Sequence, residues 1–181
     1  MKKGPVDLMI EQWAKERPEL DSSSLGVLAR ISRLARIAEE NADTVLTAFG
    51  LSDSEFQLLA AIRTAPDYPP SPRDLLEALM VSSPGLTNRI DRLEKAGLVE
   101  RLANPQDRRG VLLQLTGKGL EVVDRVTTKY LANQNQILDE ALAEGERETL
   151  SLLLRKLLGS LADTQEQSRP APARPRRTAR V

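Results

Sequence analysis

Two short capped helices, almost touching along the chain, narrow the fold more than any other feature. Ser71 is a helix N-cap with Pro72 at the first helical position, and the helix it opens is predicted to end near Leu79. Three or four residues later Ser82 or Ser83 caps a second helix, with Pro84 in its first turn and Gly97 at its end. Two helices with so brief a connection read as a helix-turn-helix. Directly after them, residues 98–103 (LVERLA) and 111–115 (VLLQL) read as strands. The connection Asn-Pro-Gln-Asp-Arg-Arg-Gly between them is too long for a two-residue turn and reads as a loop or wing.

Helices surround this unit. Val6, Met9, Ile10 and Trp13 recur at helical spacing behind Pro5, which predicts an amphipathic N-terminal helix. Asp21 and the serines after it are candidate caps. A long helix is then expected from about Ser24 to Phe49, with Leu25, Leu28, Ile31, Leu34 and Val45 on its stripe and Gly50 ending it. Ser52 and Glu55 form a capping box that opens a helix through Arg63. The stretch APDYPPSP is a loop, at most with a very short extended piece. Thr116 caps a long helix to about Leu142, and a last helix, roughly Glu146 to Leu161, carries Leu150, Leu153, Leu154, Leu157, Leu158 and Leu161. From about Asp163 the chain is Pro, Ala and Arg without a core, and disorder is expected.

Composition removes whole classes of chemistry. The 181 residues include no Cys and no His. Disulfides, thiolate metal sites and thiol redox sensing are therefore excluded, as are Ser-His-Asp and Cys-His catalysis. No P-loop or dinucleotide fingerprint is present, and Gly-Lys-Gly at 117–119 is more simply the first turn of a helix. No apolar run approaches the roughly 20 residues that span a bilayer. The N-terminus is not a secretory signal, because Asp7 and Glu11 soon follow its lysines. A cytoplasmic protein that is not an enzyme and needs no cofactor or metal is the expectation. The 26 basic and 26 acidic residues balance, but five of the arginines lie in RPAPARPRRTARV at the end. Residues 1–168 thus hold 21 basic against 26 acidic groups, so any basic patch on the body has to be local.

A helical wheel sorts the second helix of the pair. With Leu86 at zero and about 100° per residue, Ile90 and Leu93 fall within about 40° of it and form a buried seam. Asn88, Asp91, Arg92 and Lys95 lie on the opposite side, and Ser83 and Thr87 sit near the helix start. Asn, Arg, Ser and Thr are residue types that read base edges, and helix-turn-helix contacts come from the helix start. A solvated helix face is the plainer alternative. At the hairpin tip, Arg108 and Arg109 are placed to reach a phosphate or a narrow minor groove. Asp107 can support the wing by holding Arg109 through a bidentate pair. The plainer alternative there is a loose surface pair worth little.

The run LTNRIDRLEKAGLVERLANPQDRRGVLLQLTGKG resembles the recognition helix and wing of MarR-type winged-helix transcriptional regulators. The likeness covers roughly residues 24 to 161. It implies an obligate homodimer built from the terminal helices and bound to a pseudo-palindromic double-stranded operator. The Leu-rich stripes of those helices fit that assembly, or else pack within one chain. The family's wing commonly opens with Asp where this chain has Asn104, which keeps the ability to form the turn. The N-terminal helix further resembles the branch that includes urate-responsive PecS-type regulators. There a Trp of that helix, an acid of the second core helix and an Arg of the recognition helix help form the effector pocket. Trp13 and Arg89 match. Gln57 stands where the acid is typical and cannot neutralise Arg89. Arg89 lies about 60° from Leu86 on the wheel, away from the reading face. The expectation is a small anionic effector held by Arg89 beside Gln57, with Trp13 as wall or, alternatively, as a core anchor.

The expected architecture is mainly α with a small β-wing. Residues 1–50 are expected to form N-terminal dimerisation helices and 51–116 a winged helix-turn-helix DNA-binding domain. Residues 117–162 are expected to form C-terminal dimerisation helices and 163–181 a disordered Arg/Pro-rich tail. The expected function is a ligand-responsive repressor. The alternative is a winged-helix module for protein contacts without specific DNA binding.

Overall fold

The computed structural model describes residues 3–107 and 110–167. Arg108, Arg109 and the Arg-rich tail lie outside the described residues. The chain divides into two compact units, Met1–Asn135 and Gln136–Val181.

In the first unit, helix α1 (Pro5–Glu16) opens with Pro5 at its start, and the Asp7 carboxylate accepts the Gly4 N–H at 2.7 Å. It packs on α2 (Leu25–Thr47), where Arg30 pairs with Asp7. The α2 backbone closes through Gly50, with Leu51 N–H bonded to Leu46 C=O at 3.2 Å. Helix α3 (Asp53–Thr64) starts with the expected box, Ser52 Oγ accepting from Glu55 N–H at 3.3 Å and Glu55 accepting from Ser52 N–H at 2.9 Å. Helices α4 (Pro72–Leu79) and α5 (Ser83–Lys95) form the close pair, joined through Met80 in the left-handed region. Ser82 is the N-cap of α5, but its side chain makes no capping hydrogen bond. Strands β1 (Val99–Ala103) and β2 (Val111–Leu115) pair antiparallel, Val99 opposite Leu115 and Ala103 opposite Val111. The loop ahead of α4 adds a single bond to this ribbon, Leu113 N–H to Pro70 C=O at 2.8 Å.

One core ties these elements together. Leu46 of α2, Leu58, Leu59 and Ile62 of α3, Leu75 of α4, Leu86, Ile90 and Leu93 of α5 and Leu113 of β2 are all buried in it. Helix α6 (Gly117–Ala141) contributes Val123 and Val126. Tyr130 stacks at a tilt on Phe56, with ring centroids 5.1 Å apart, and Arg63 of α3 pairs with Asp124 at 3.1 Å. The predicted seam of α5 is thus the face that enters the core.

The second unit is the end of α6 with helix α7 (Glu146–Gln167). The turn between them is closed by Glu146, whose carboxylate accepts the Ala143 N–H at 2.7 Å. The helix runs to Gln167, past Leu161, where the sequence placed its end. Residues 162–167 contain neither Gly nor Pro to stop a helix, and the first Pro comes only at 170.

The most constrained contact is where α5 ends and α6 begins. Gly97 adopts φ +70 and terminates α5, with Leu98 N–H bonded to Leu93 C=O at 2.9 Å. The Thr116 hydroxyl donates to Gly97 C=O at 2.7 Å, and Lys118 Nζ donates to Ala96 C=O at 2.9 Å. The same Thr116 oxygen accepts the Gly119 N–H at 2.9 Å. A cation and a hydroxyl therefore satisfy carbonyls at the negative end of α5, and the hydroxyl also caps α6. The α6 backbone comes so near that a Cβ on Gly119 would lie 1.9 Å from Leu98 C=O, whereas one on Gly117 would meet nothing within 4 Å. Gly119→Ala is expected to lower stability by about 3 kcal/mol, and Gly117→Ala to change it by less than about 0.5 kcal/mol, in urea unfolding.

Candidate nucleic-acid interface

The buried Leu86, Ile90 and Leu93 leave the other side of α5 to solvent. Asn88, Arg92 and Lys95 are exposed there, as the wheel requires, and Ser83 and Thr87 are exposed near the start of the helix. Thr87 donates its hydroxyl to Ser83 C=O at 3.1 Å, which aligns the first turn of that face. Arg92 also acts on α3. Burial pushes the Glu55 carboxyl up, but hydrogen bonds from the Ser52 N–H and hydroxyl and the charge of Arg92 outweigh it, and the group sits below its ordinary range.

The wing root is closed by Asn104. Its side-chain oxygen accepts the Gln106 N–H at 2.9 Å, and its backbone N–H bonds to Gly110 C=O at 3.1 Å. Asn thus makes the same local turn an Asp would make. Asp107 joins that turn through its backbone, with Gly110 N–H bonded to Asp107 C=O at 2.9 Å. The pairing expected between Asp107 and Arg109 falls outside the described residues, as do Arg108 and Arg109 themselves.

The three residues singled out for an effector lie in different settings. Arg89 is half-buried beside the α5 seam, and its Nη1 is enclosed without a hydrogen-bond partner. Gln57 is exposed on α3 and donates its amide to Asp53 at 2.6 Å. Trp13 is 47% exposed on α1, whereas Val6, Met9 and Ile10 of its stripe are half-buried, so Trp13 is not an anchor in the core of this chain. No hydrogen bond or ion pair joins the three.

Residue selection from sequence missed the groups that hold the interface in place. Thr116 and Lys118 clamp the end of α5, and Arg101 of β1 bonds two acids of the same helix. The Leu-Thr-x-x-Gly spacing signals the first pair. Nothing in sequence order alone brings Arg101 to α5. Among the described residues no group of acids is arranged to hold a metal ion, and no helix is long and apolar enough to cross a membrane.

A helix-turn-helix followed by a two-stranded wing, with a polar exposed face on its second helix, defines a winged-helix protein. A sequence profile of the MarR family matches residues 49–110. The regulator PecS of Dickeya dadantii (strain 3937) is 36% identical, covering 84% of this chain and 92% of its own. A crystal structure of AbsC, a MarR family transcriptional regulator from Streptomyces coelicolor, aligns with a TM-score of 0.71 at 25% identity, over 80% of this chain and 97% of that one. A mutant MarR from E. coli complexed with operator DNA aligns with a TM-score of 0.65 at 30% identity, over 81% and 97%. The chain belongs to the MarR family of winged-helix transcriptional regulators.

The cap of α4 supplies a pH-dependent contribution to this unit. The Asp74 carboxyl is held below its ordinary value, first by the Ser71 hydroxyl and then by the Ser71 N–H. A depressed carboxyl contributes stability that is present above its unfolded value of 3.8 and lost as pH falls through the lower folded one. Asp74→Asn is expected to cost about 1 kcal/mol near neutral pH. In urea unfolding at a series of pH values, that deficit should vanish in acid below the folded value.

Proposed function

We propose that this chain is a sequence-specific DNA-binding transcriptional regulator that works as a homodimer on a pseudo-palindromic operator and represses until an effector binds. One observation carries the reading. Five exposed side chains able to contact bases or phosphates lie at the start and along the outer side of α5, while Leu86, Ile90 and Leu93 lock its inner side in the core. The likeness to a relative solved with operator DNA supports it. Residues 51–116 are the DNA-binding part in this reading, with Ser83, Thr87 and Asn88 reading bases. Arg92, Lys95, Arg108 and Arg109 meet phosphates or the minor groove, and Asp107 supports the wing. The cytoplasm, where an operator would be met, is the proposed location.

The terminal regions, 1–50 and 117–162, form the dimer in this proposal. Each compact unit by itself leaves apolar surface uncovered. In the first, Val27, Leu28 and Leu34 of α2 are more than half exposed. In the second, Leu152, Leu153 and Leu158 of α7 are at least 60% exposed, and a groove of about 740 Å³ runs between Leu138, Leu142, Leu150, Leu154 and Leu158. Single chains rarely leave such contiguous surface to water.

The effector is proposed to be a small anion. The enclosed, unpartnered Nη1 of Arg89 is a charged donor with nothing to bond, a costly state that a carboxylate or similar group relieves. Trp13 and Gln57 are proposed to complete the site in the dimer. Urate is not favoured, because Gln57 supplies no negative charge opposite Arg89.

The first test uses the full chain and DNA upstream of its own reading frame. Sedimentation should give about twice the 20.0 kDa chain mass. Anisotropy titrations should show sequence-dependent binding that weakens steeply with salt, and Asn88→Ala and Arg109→Ala should each weaken it by about tenfold or more. Weak binding, indifferent to sequence and to both changes, would leave a winged-helix module for protein contacts. The second test screens small carboxylates and other anions against the bound complex. An active anion should release DNA from the wild-type protein and fail to do so from Arg89→Met. Release of that variant at the same concentration removes Arg89 from the effector site.

A further inference from the structure

The reading face of α5 carries an acid in its midst. On the wheel with Leu86 at zero, Asp91 falls at about 140°, between Thr87 and Asn88. It is also one turn from Lys95. Glu94 follows on the flank of the same helix. Carboxylates so placed oppose a polyanion, and salt in solution does not remove that opposition at contact distance.

Arg101 answers both acids from another element. It projects from the middle of β1, and its Nη2 lies 2.6 Å from Asp91 Oδ1 while its Nη1 bonds Glu94 Oε2. Its side chain is 33% exposed, less than Asp91 at 46% or Glu94 at 39%. Both terminal nitrogens of the guanidinium are thus taken up by the two acids of α5. A planar fork can span two carboxylates on successive turns, which a single ammonium does less well.

We infer that Arg101 is a positioning residue of the DNA interface: it cancels Asp91 and Glu94 on the recognition helix and fixes the root of the wing against that helix, without touching DNA itself. The exposed face then offers Arg92 and Lys95 as its positive charges. This inference rests on the DNA-binding reading proposed above. It differs from a phosphate contact by Arg101, which would weaken on mutation for another reason.

The experiment separates these. The probe is a duplex that the wild-type full chain enriches from a random-sequence library. Anisotropy titrations over a range of salt compare wild type, Arg101→Met, Arg101→Lys, Asp91→Asn/Glu94→Gln, and the triple variant carrying Arg101→Met with both amides. Thermal unfolding confirms that each is folded. Arg101→Met is expected to bind about tenfold more weakly, with the slope of log affinity against log salt unchanged. Arg101→Lys should fall between it and wild type. The triple variant should return to within about threefold of wild type, because no charge remains to be cancelled. An unchanged Arg101→Met, a salt slope reduced by about one, or a triple variant that stays weak each overturns the inference. A wild-type chain that enriches no duplex overturns the DNA-binding reading, and this inference with it.

Discussion

The bond set between the end of α5 and the start of α6 governs the rest of the molecule. Three carbonyls of the turn that ends α5 are taken by α6 or its cap: Ala96 by Lys118, Gly97 by Thr116 Oγ, and Leu98 by Thr116 N–H. Glycine at 119 allows the approach and glycine at 97 allows the turn. Between these two clamped points the chain has only enough length to go out along β1 and return along β2. The wing is therefore anchored at its base to the same helix whose outer face is exposed. An error of one residue in either strand would invert the burial of Val99 and Leu113 and break the core.

Electrostatics then refine what packing has set. Alternation of seam and face along α5 is a consequence of the hydrophobic effect, since Leu86, Ile90 and Leu93 leave water only if the helix turns that side inward. The polar side inherits both signs of charge. Acids near it are not left free: Glu55 accepts from Ser52 and lies in the field of Arg92, and Asp91 and Glu94 are gathered by Arg101. A chain with balanced overall charge can in this way present a local positive face, which is what a partner with regularly spaced phosphates requires.

The terminal helices follow a different logic. Their leucines recur at helical spacing, yet α7 has no buried residue among those described, and the first half of α2 is mostly exposed. Such helices carry apolar side chains that their own unit leaves uncovered. That distinguishes them from α3 and α5, whose apolar sides are fully used by the single chain. Arg89 is a parallel case at smaller scale, a polar group committed to an enclosed place without its complement. Both are features of the single chain that the proposed dimer and the proposed anion would complete.

Much of the fold was legible in the sequence because its signals are local. Caps at Ser52 and Ser71, prolines at 72 and 84, stops at Gly50 and Gly97, and the period of Leu86, Ile90 and Leu93 each act within a turn or two of themselves. The exposed side of α5 was legible for the same reason, and so was the resemblance carried by the wing. The end of α7 lies past Leu161, where the sequence placed it, because no Gly or Pro before Pro170 marks a boundary. Other features depend on distance in space. That Arg101 meets Asp91 and Glu94, that Lys118 finds Ala96, that Gly119 must lack a side chain, and that Trp13 stays exposed while Arg89 is enclosed all require elements to be packed first. Sequence determines periodicity, capping and breaks because these are free energies of neighbouring residues. Tertiary structure alone decides which charges meet and which are left alone, because those energies fall off over a few ångströms between segments that the chain order keeps apart.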